Sequence, residues 1–201
     1  MRCPPLTRFA TADSGRVPNP IVATLPIEFR QTRRRLGVPL TQFLLLVNVR
    51  AQRMQLVEPL PDFTTPECLV RKCFRISTSR FGTGQTANSN RTPLGLHRIA
   101  RKVGGGWPVG TVFKSREMVG YTWQGLKGAA ITHRILWLEG LEPGFNRGEG
   151  VDTFARYIYI HGTGDEPALG RPASSGCVHV SGAQLLPLYD LVPNGTLVWI
   201  A

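Results

Sequence analysis

Short bursts of apolar residues, broken by turn-forming residues, run through most of this chain. Residues 43–49 (FLLLVNV) and 53–57 (RMQLV) are apolar β-formers on either side of Arg50, Ala51 and Gln52, the pattern of a hairpin. Residues 59–67 are a Pro-punctuated loop, and 70–78 (VRKCFRIST) is a strand whose faces the pattern does not assign. Strands are also expected at 96–102, around Val112 and Phe113, at 118–123 and at 131–138, with a loop over 140–150. Tyr157, Ile158, Tyr159 and Ile160 alternate as a strand that ends at His161, with both tyrosines on one half-buried face. Near the C-terminus, Leu185, Leu186, Tyr189 and Val192 recur at helical spacing. Ser181 is a candidate cap. Pro187 should lie in the helix's first turn, because a proline further in forfeits a hydrogen bond. Pro193, Asn194 and Gly195 stop the helix, and 196–200 returns as a last strand. The expected fold is therefore mostly β, a sandwich or mixed sheet with one or two short helices.

Residues 1–40 differ. They carry Pro4, Pro5, Pro18 and Pro20 and the cluster Arg30, Arg33, Arg34, Arg35, with no sustained period, and are expected to be a loosely ordered basic extension. The domain proper is expected at 41–201. The arginine cluster and the apolar run after it imitate a signal peptide. The run lies 36 residues into the chain, however, has no small-residue cleavage site behind it, and is needed as the domain's first strand. No apolar run reaches the ~18–20 residues of a membrane helix.

Composition adds a charge constraint. The net charge of +11 calls for an anionic neighbour: a wall polymer, a membrane surface or nucleic acid. Nucleic acid is disfavoured, because the polar stretch 79–95 with Arg80 and Arg91 has no interleaved aromatics on which bases would stack. Gly104, Gly105 and Gly106 make no phosphate-binding loop, lacking the lysine and the helix that should follow. Cys3, Cys68, Cys73 and Cys177 form no CxxC pair. For Cys68 and Cys73, a small disulfide loop and two idle thiols both stay open.

The candidate chemistry lies between residues 156 and 179, RYIYIHGTGDEPALGRPASSGCVH. A cysteine is a nucleophile only as thiolate, and an imidazole can take its proton, so Cys177 and His161 are a candidate acyl-transfer pair if the fold brings them together. Gly176 permits a tight turn that would aim backbone N–H groups at an oxyanion. Taken alone, a lone cysteine is as readily a small buried hydrophobe, and a histidine at a strand end a structural hydrogen-bonder. Ser174, Ser175, Gly176 and His179 around Cys177 are not a packed apolar run, which weakens the first of these. His161, Cys177 and His179 are also three zinc-capable side chains.

HGT followed by SSGC, a short helix and NGTLVWI resembles the catalytic end of the L,D-transpeptidases of the YkuD type. The likeness extends upstream through LLLVNVRAQRMQLVE, ISTSRFGTGQTANSNRTPLGLHRI and ITHRILWLEGLEPGFN, over roughly residues 43–201. The resemblance implies a metal-free, cofactor-free cysteine acyltransferase acting on peptidoglycan stem peptides in the cell envelope or periplasm. Cys177 would be its nucleophile and His161 its base, oriented by the Gly162 carbonyl, and the loop 79–95 would lie near the substrate cleft. Two positions depart from the family pattern: Ser175 stands where many members have His, and His179 where many have Arg or Asn. His179 would then bind a substrate carboxylate only when protonated. Ser174, Ser175, Tyr159 and Arg171 complete the candidate substrate contacts, with Tyr159 as readily a sheet residue and Arg171 as readily a solvated loop charge. Arg134 is a weaker candidate, and His97 and His133 are expected to have no catalytic role.

Overall fold

A computed structural model describes residues 21–60, 66–125 and 130–201; the expectations for residues 1–20, Cys3 included, lie outside them. Its strands are β1 (Ile21–Thr24), β2 (Leu44–Asn48), β3 (Arg53–Pro59), β4 (Glu67–Ser77), β5 (Gly95–Val103), β6 (Thr111–Lys114), β7 (Glu117–Tyr121), β8 (Ile131–Gly140), β9 (Tyr159–Gly162), β10 (Val178–Val180) and β11 (Leu197–Ile200). Two α-helices accompany them, α1 (Ile27–Arg35) and α2 (Gly182–Leu191). The fold is mostly β, with every strand in one mixed sheet ordered β5-β11-β2-β3-β4-β10-β9-β8-β6-β7. β5 also pairs with β8, so eight strands close into a ring from which the β6–β7 hairpin projects, while β1 adds to β4. β11 runs parallel to β2 and β10 parallel to β9; the other pairings are antiparallel.

Side-chain alternation divides this sheet into an inside and an outside. Leu136, Leu138, Ile158, Ile160, Val178 and Val180 join Leu45, Met54, Phe74 and Val198 in the main core, where α2 packs through Leu185, Leu188 and Tyr189. The alternate residues of β8 and β9, Ile135, Trp137 and Tyr159, form a second cluster with Phe113, and Cys177 packs against it. The outer surface near β11 is covered by α1, whose Phe29 meets Trp199 edge-on at 6.0 Å.

Four expectations need correction, those for residues 21–36, Tyr157, the start of α2 and the Ser181 cap, and the open alternative for Cys68 and Cys73 is decided for two thiols. Residues 21–36 are not loosely ordered: they form β1 and α1. The helix was obscured because a proline occupies its cap and Phe29 is its one buried residue, so it has almost no apolar period to read. Tyr157 is not in the strand. It adopts a left-handed φ of +56° and projects outward, half exposed, whereas Tyr159 is buried. Helix α2 does not start late, and Pro187 sits in its interior. Ser181 holds the cap position without capping through its side chain; the first N–H, that of Gly182, instead donates to Glu166 Oε1 at 2.8 Å. Cys68 and Cys73 lie on one extended strand, about 16 Å apart at ~3.3 Å per residue, too far for a disulfide. They are separate thiols.

Candidate active site

Residues 177 and 179 flank inward-facing Val178, so both side chains emerge on the outer face, as do Tyr159 and His161 on the neighbouring strand. The parallel register sets His179 directly beside His161, with ring centroids 4.6 Å apart. His161 is buried, and its Nδ1 donates to the Gly162 carbonyl at 2.7 Å. A carbonyl can only accept, so neutral His161 carries its proton on Nδ1 and leaves the Nε2 lone pair available as a base. A Cβ on Gly162 would come within 2.6 Å of the Thr132 carbonyl, so the position needs glycine to keep this carbonyl where it is.

Cys177 Sγ accepts the Tyr159 N–H at 3.4 Å and donates to the Tyr157 carbonyl at 3.5 Å. The sulfur thus faces the main chain just before His161 rather than the imidazole itself. Gly176 turns the chain into Cys177 with φ +117°, and a Cβ there would approach the Ile158 side chain at 3.3 Å and the Arg91 carbonyl at 3.4 Å. This turn is bolted internally. Buried Ser174 donates through Oγ to the Cys177 carbonyl at 2.6 Å and accepts the Gly176 N–H at 3.2 Å. Thr92 Oγ1 donates to the Gly176 carbonyl at 3.0 Å while accepting the Ser79 N–H at 3.0 Å. Ser79 Oγ in turn donates to the Asn90 carbonyl at 2.5 Å. The polar stretch 79–95 therefore folds over the nucleophile's turn. It ends at Gly95, whose φ of +99° only glycine adopts freely.

The sequence matches the L,D-transpeptidase catalytic domain of the YkuD type over residues 42–200. This chain belongs to the L,D-transpeptidase family. No curated protein matches it. Among solved structures, a Bdellovibrio bacteriovorus protein is similar with a TM-score of 0.50 at 14% identity, over 81% of this chain and 48% of that one. An L,D-transpeptidase from Mycobacterium smegmatis aligns at 17% identity and TM-score 0.48, over 80% of this chain and 58% of its own. L,D-transpeptidase 3 from Mycobacterium tuberculosis, in complex with a faropenem-derived adduct, aligns at 14% identity and TM-score 0.46, over 79% and 60%. This chain thus spans about half to three-fifths of these proteins.

The remaining candidate residues of this L,D-transpeptidase domain separate clearly. Ser174 and the Gly176 N–H are engaged within the turn, so neither is free to touch a substrate or an oxyanion. Ser175 is exposed beside Cys177, and Arg171 is exposed in the loop between base and nucleophile. Tyr159 is buried and presents its hydroxyl to Arg116 at 3.1 Å. Arg134 donates to the His133 and Trp107 carbonyls at 2.7 and 2.8 Å and is part of the scaffold. His179 borders a groove of about 410 Å³ lined also by Thr163, Asp165 and Ala173. Among the described residues no three His, Cys, Asp or Glu side chains are grouped to hold a metal.

Burial dominates the electrostatics. It pushes the Cys177 thiol up to about 11, against the lowering effect of the Tyr159 N–H and of Arg156. His161 is pulled down to about 3 by burial and by His179, and His179 down to about 4 by burial. At neutral pH the free protein's His179 is therefore uncharged, and binding a carboxylate as a cation would first require it to take up a proton. The sequence reading also missed two arginines. Arg156 clamps the loop over the turn by donating to the carbonyls of Gly84, Gln85 and Arg91 at 3.2, 2.8 and 2.6 Å. Arg116 reaches the aromatic cluster from the β6–β7 turn. Both act on residues far away in sequence, and the only local hint was the arginine directly ahead of the YIYIH run.

Proposed function

We propose that this domain is a peptidoglycan L,D-transpeptidase that forms 3-3 type cross-links through a thioester on Cys177. The observation that carries the reading is the placement of Cys177 and His161 on one outer face of adjacent parallel strands, with His161 Nδ1 anchored to the Gly162 carbonyl. Both groups rest neutral, so the reaction does not begin from a thiolate–imidazolium pair. As substrate displaces the thiol from the Tyr157 carbonyl, the S–H proton passes to His161 Nε2 and the sulfur bonds to the carbonyl at the L-centre of the diamino acid in a donor tetrapeptide. The tetrahedral adduct then collapses: the C–N bond breaks, and the leaving D-alanine amine takes the proton from His161. The side-chain amine of an acceptor stem next gives a proton to His161 and bonds to the thioester carbon. The C–S bond breaks, and the thiolate recovers the proton. The positive surface suits an anionic envelope polymer as neighbour.

The test is intact-mass spectrometry of the chain and of Cys177→Ala after incubation with a tetrapeptide muropeptide, with a carbapenem as a parallel thiol-acylating probe. An adduct on the native chain alone, with cross-linked dimer in solution, is expected. Tripeptide without dimer would replace the transpeptidase by a carboxypeptidase using water as acceptor. The absence of any adduct would leave a domain that only binds wall polymer.

A further inference from the structure

Arg116 stands at the tip of the β6–β7 hairpin, where Ser115 turns the chain with φ +59°. Its guanidinium lies 4.8 Å from the Trp137 ring and 4.7 Å from the Tyr157 ring, and Nη1 donates to the Tyr159 hydroxyl at 3.1 Å. Three aromatic side chains thus fix the position of the charge. A guanidinium has five N–H donors, and this bond uses one. Arg116 keeps part of its surface in solvent. Among the described residues, the ion pairs belong to Arg35, Arg71, Arg98 and Arg147, and no carboxylate meets Arg116.

Tyr159 ties this charge to the sulfur. Its main-chain N–H reaches Cys177 Sγ and its hydroxyl reaches Arg116, so the guanidinium sits one tyrosine side chain from the nucleophile on the same outer face. Of the other cations around the site, Arg171 is an exposed loop charge. Arg156 and Arg134 hold main-chain carbonyls, and His179 is neutral. Tyr157 owes its place beside Arg116 to the left-handed backbone ahead of β9, a conformation unfavourable for a tyrosine.

We propose that Arg116 is the residue that recognises a carboxylate of the donor peptide, docking it through the free edge of the guanidinium while the scissile carbonyl lies at Cys177. The planar fork matches a carboxylate in two parallel hydrogen bonds, and the aromatic contacts remove much of the rotamer freedom that such a contact otherwise costs. The inference rests on reading Cys177 as the acyl-accepting thiol of a peptide transferase.

Calorimetric binding of the donor tetrapeptide to the full chain carrying Cys177→Ala, with and without Arg116→Gln, tests it without turnover. Arg116→Gln is expected to weaken binding about tenfold, with Arg116→Lys between the two. Peptides with each carboxylate amidated in turn locate the contact: one of them should bind as weakly as the native peptide does to Arg116→Gln, and lose nothing more on that variant. The inference is overturned if Arg116→Gln binds the native peptide normally, or if every amidated peptide still loses the same factor. Adduct formation on the Cys177 chain is scored separately. An adduct with no role for Arg116 sinks the inference and leaves the transferase reading standing. Carboxylate-dependent binding without an adduct does the reverse, and binding to neither chain removes both.

Discussion

At pH 7, Cys177 and His161 are both uncharged, because the outer face that holds them is covered enough to penalise either ion. With its thiol pushed up to about 11, the free protein's Cys177 should alkylate with iodoacetamide at a rate that climbs with pH through 8 and 9. A rate that levels off below pH 8 would show a preformed ion pair and contradict the burial argument. His179, down at about 4, should leave peptide binding unchanged between pH 7 and 5.5, measured by titration at both values. Gly162→Ala forces its Cβ against the Thr132 carbonyl and so moves the acceptor that sets the His161 tautomer; acylation by donor should fall about 10- to 100-fold while the fold survives. The turn at Gly176 and the His161–Gly162 contact were legible in the sequence, because each is written within a few neighbours as SGC and HGT, whereas the Gly176 N–H expected at an oxyanion is held inside the turn. Thr92, Arg116 and Arg156 were not legible, because their partners lie 84, 43 and up to 72 positions away. Ser174, read from the sequence as a substrate contact, is instead the internal bolt of the turn.

Among the elements, α2 shows how a tertiary partner overrides a local rule. Its interior Pro187 cannot donate to the Ala183 carbonyl, yet the helix forms because Leu185, Leu188 and Tyr189 are buried in the main core and Glu166 satisfies its first N–H. Glu166→Ala removes both the cap and a negative charge at the positive helix end, and should cost about 1 kcal/mol by chemical denaturation. An unchanged midpoint would show that solvent caps the helix equally well. The strands were legible where short apolar runs of β-formers lie between a paired strand on each side, as in β2, β3, β8 and β11. The pattern misled at Tyr157, where alternation continues two residues ahead of the ladder because Tyr157 turns out over Arg116 instead of lying along the sheet. Nothing local announces that reversal in φ.

Across the whole molecule, burial of histidines predicts acid sensitivity. His97, His161 and His179 are depressed to about 4, 3 and 4, all chiefly by burial, so on acidification the unfolded chain takes up protons near pH 6.5 that the folded chain refuses. Their contribution to stability is complete above pH 6.5 and is lost as pH falls toward 4. Each adds a slope of up to about 1.4 kcal/mol per pH unit. Tm should therefore drop between pH 6.5 and 5, above the carboxylate range, and His97→Gln should make that drop shallower. The mostly β class and the mixed sheet were legible; closure was not, because the β5–β8 pairing joins strands that no turn connects. The ring is completed by β11, which lies between β5 and β2 and bonds to both. While a ribosome is still making residues before 197, β2 and β5 have no neighbour in common, and the inner face of the sheet is uncovered on that side. The cysteine turn is made some twenty residues ahead of the strand that closes the ring, so the nascent chain carries its candidate nucleophile for a time without the architecture that holds it. The candidate site is framed only once residues 197–200 have joined the ring.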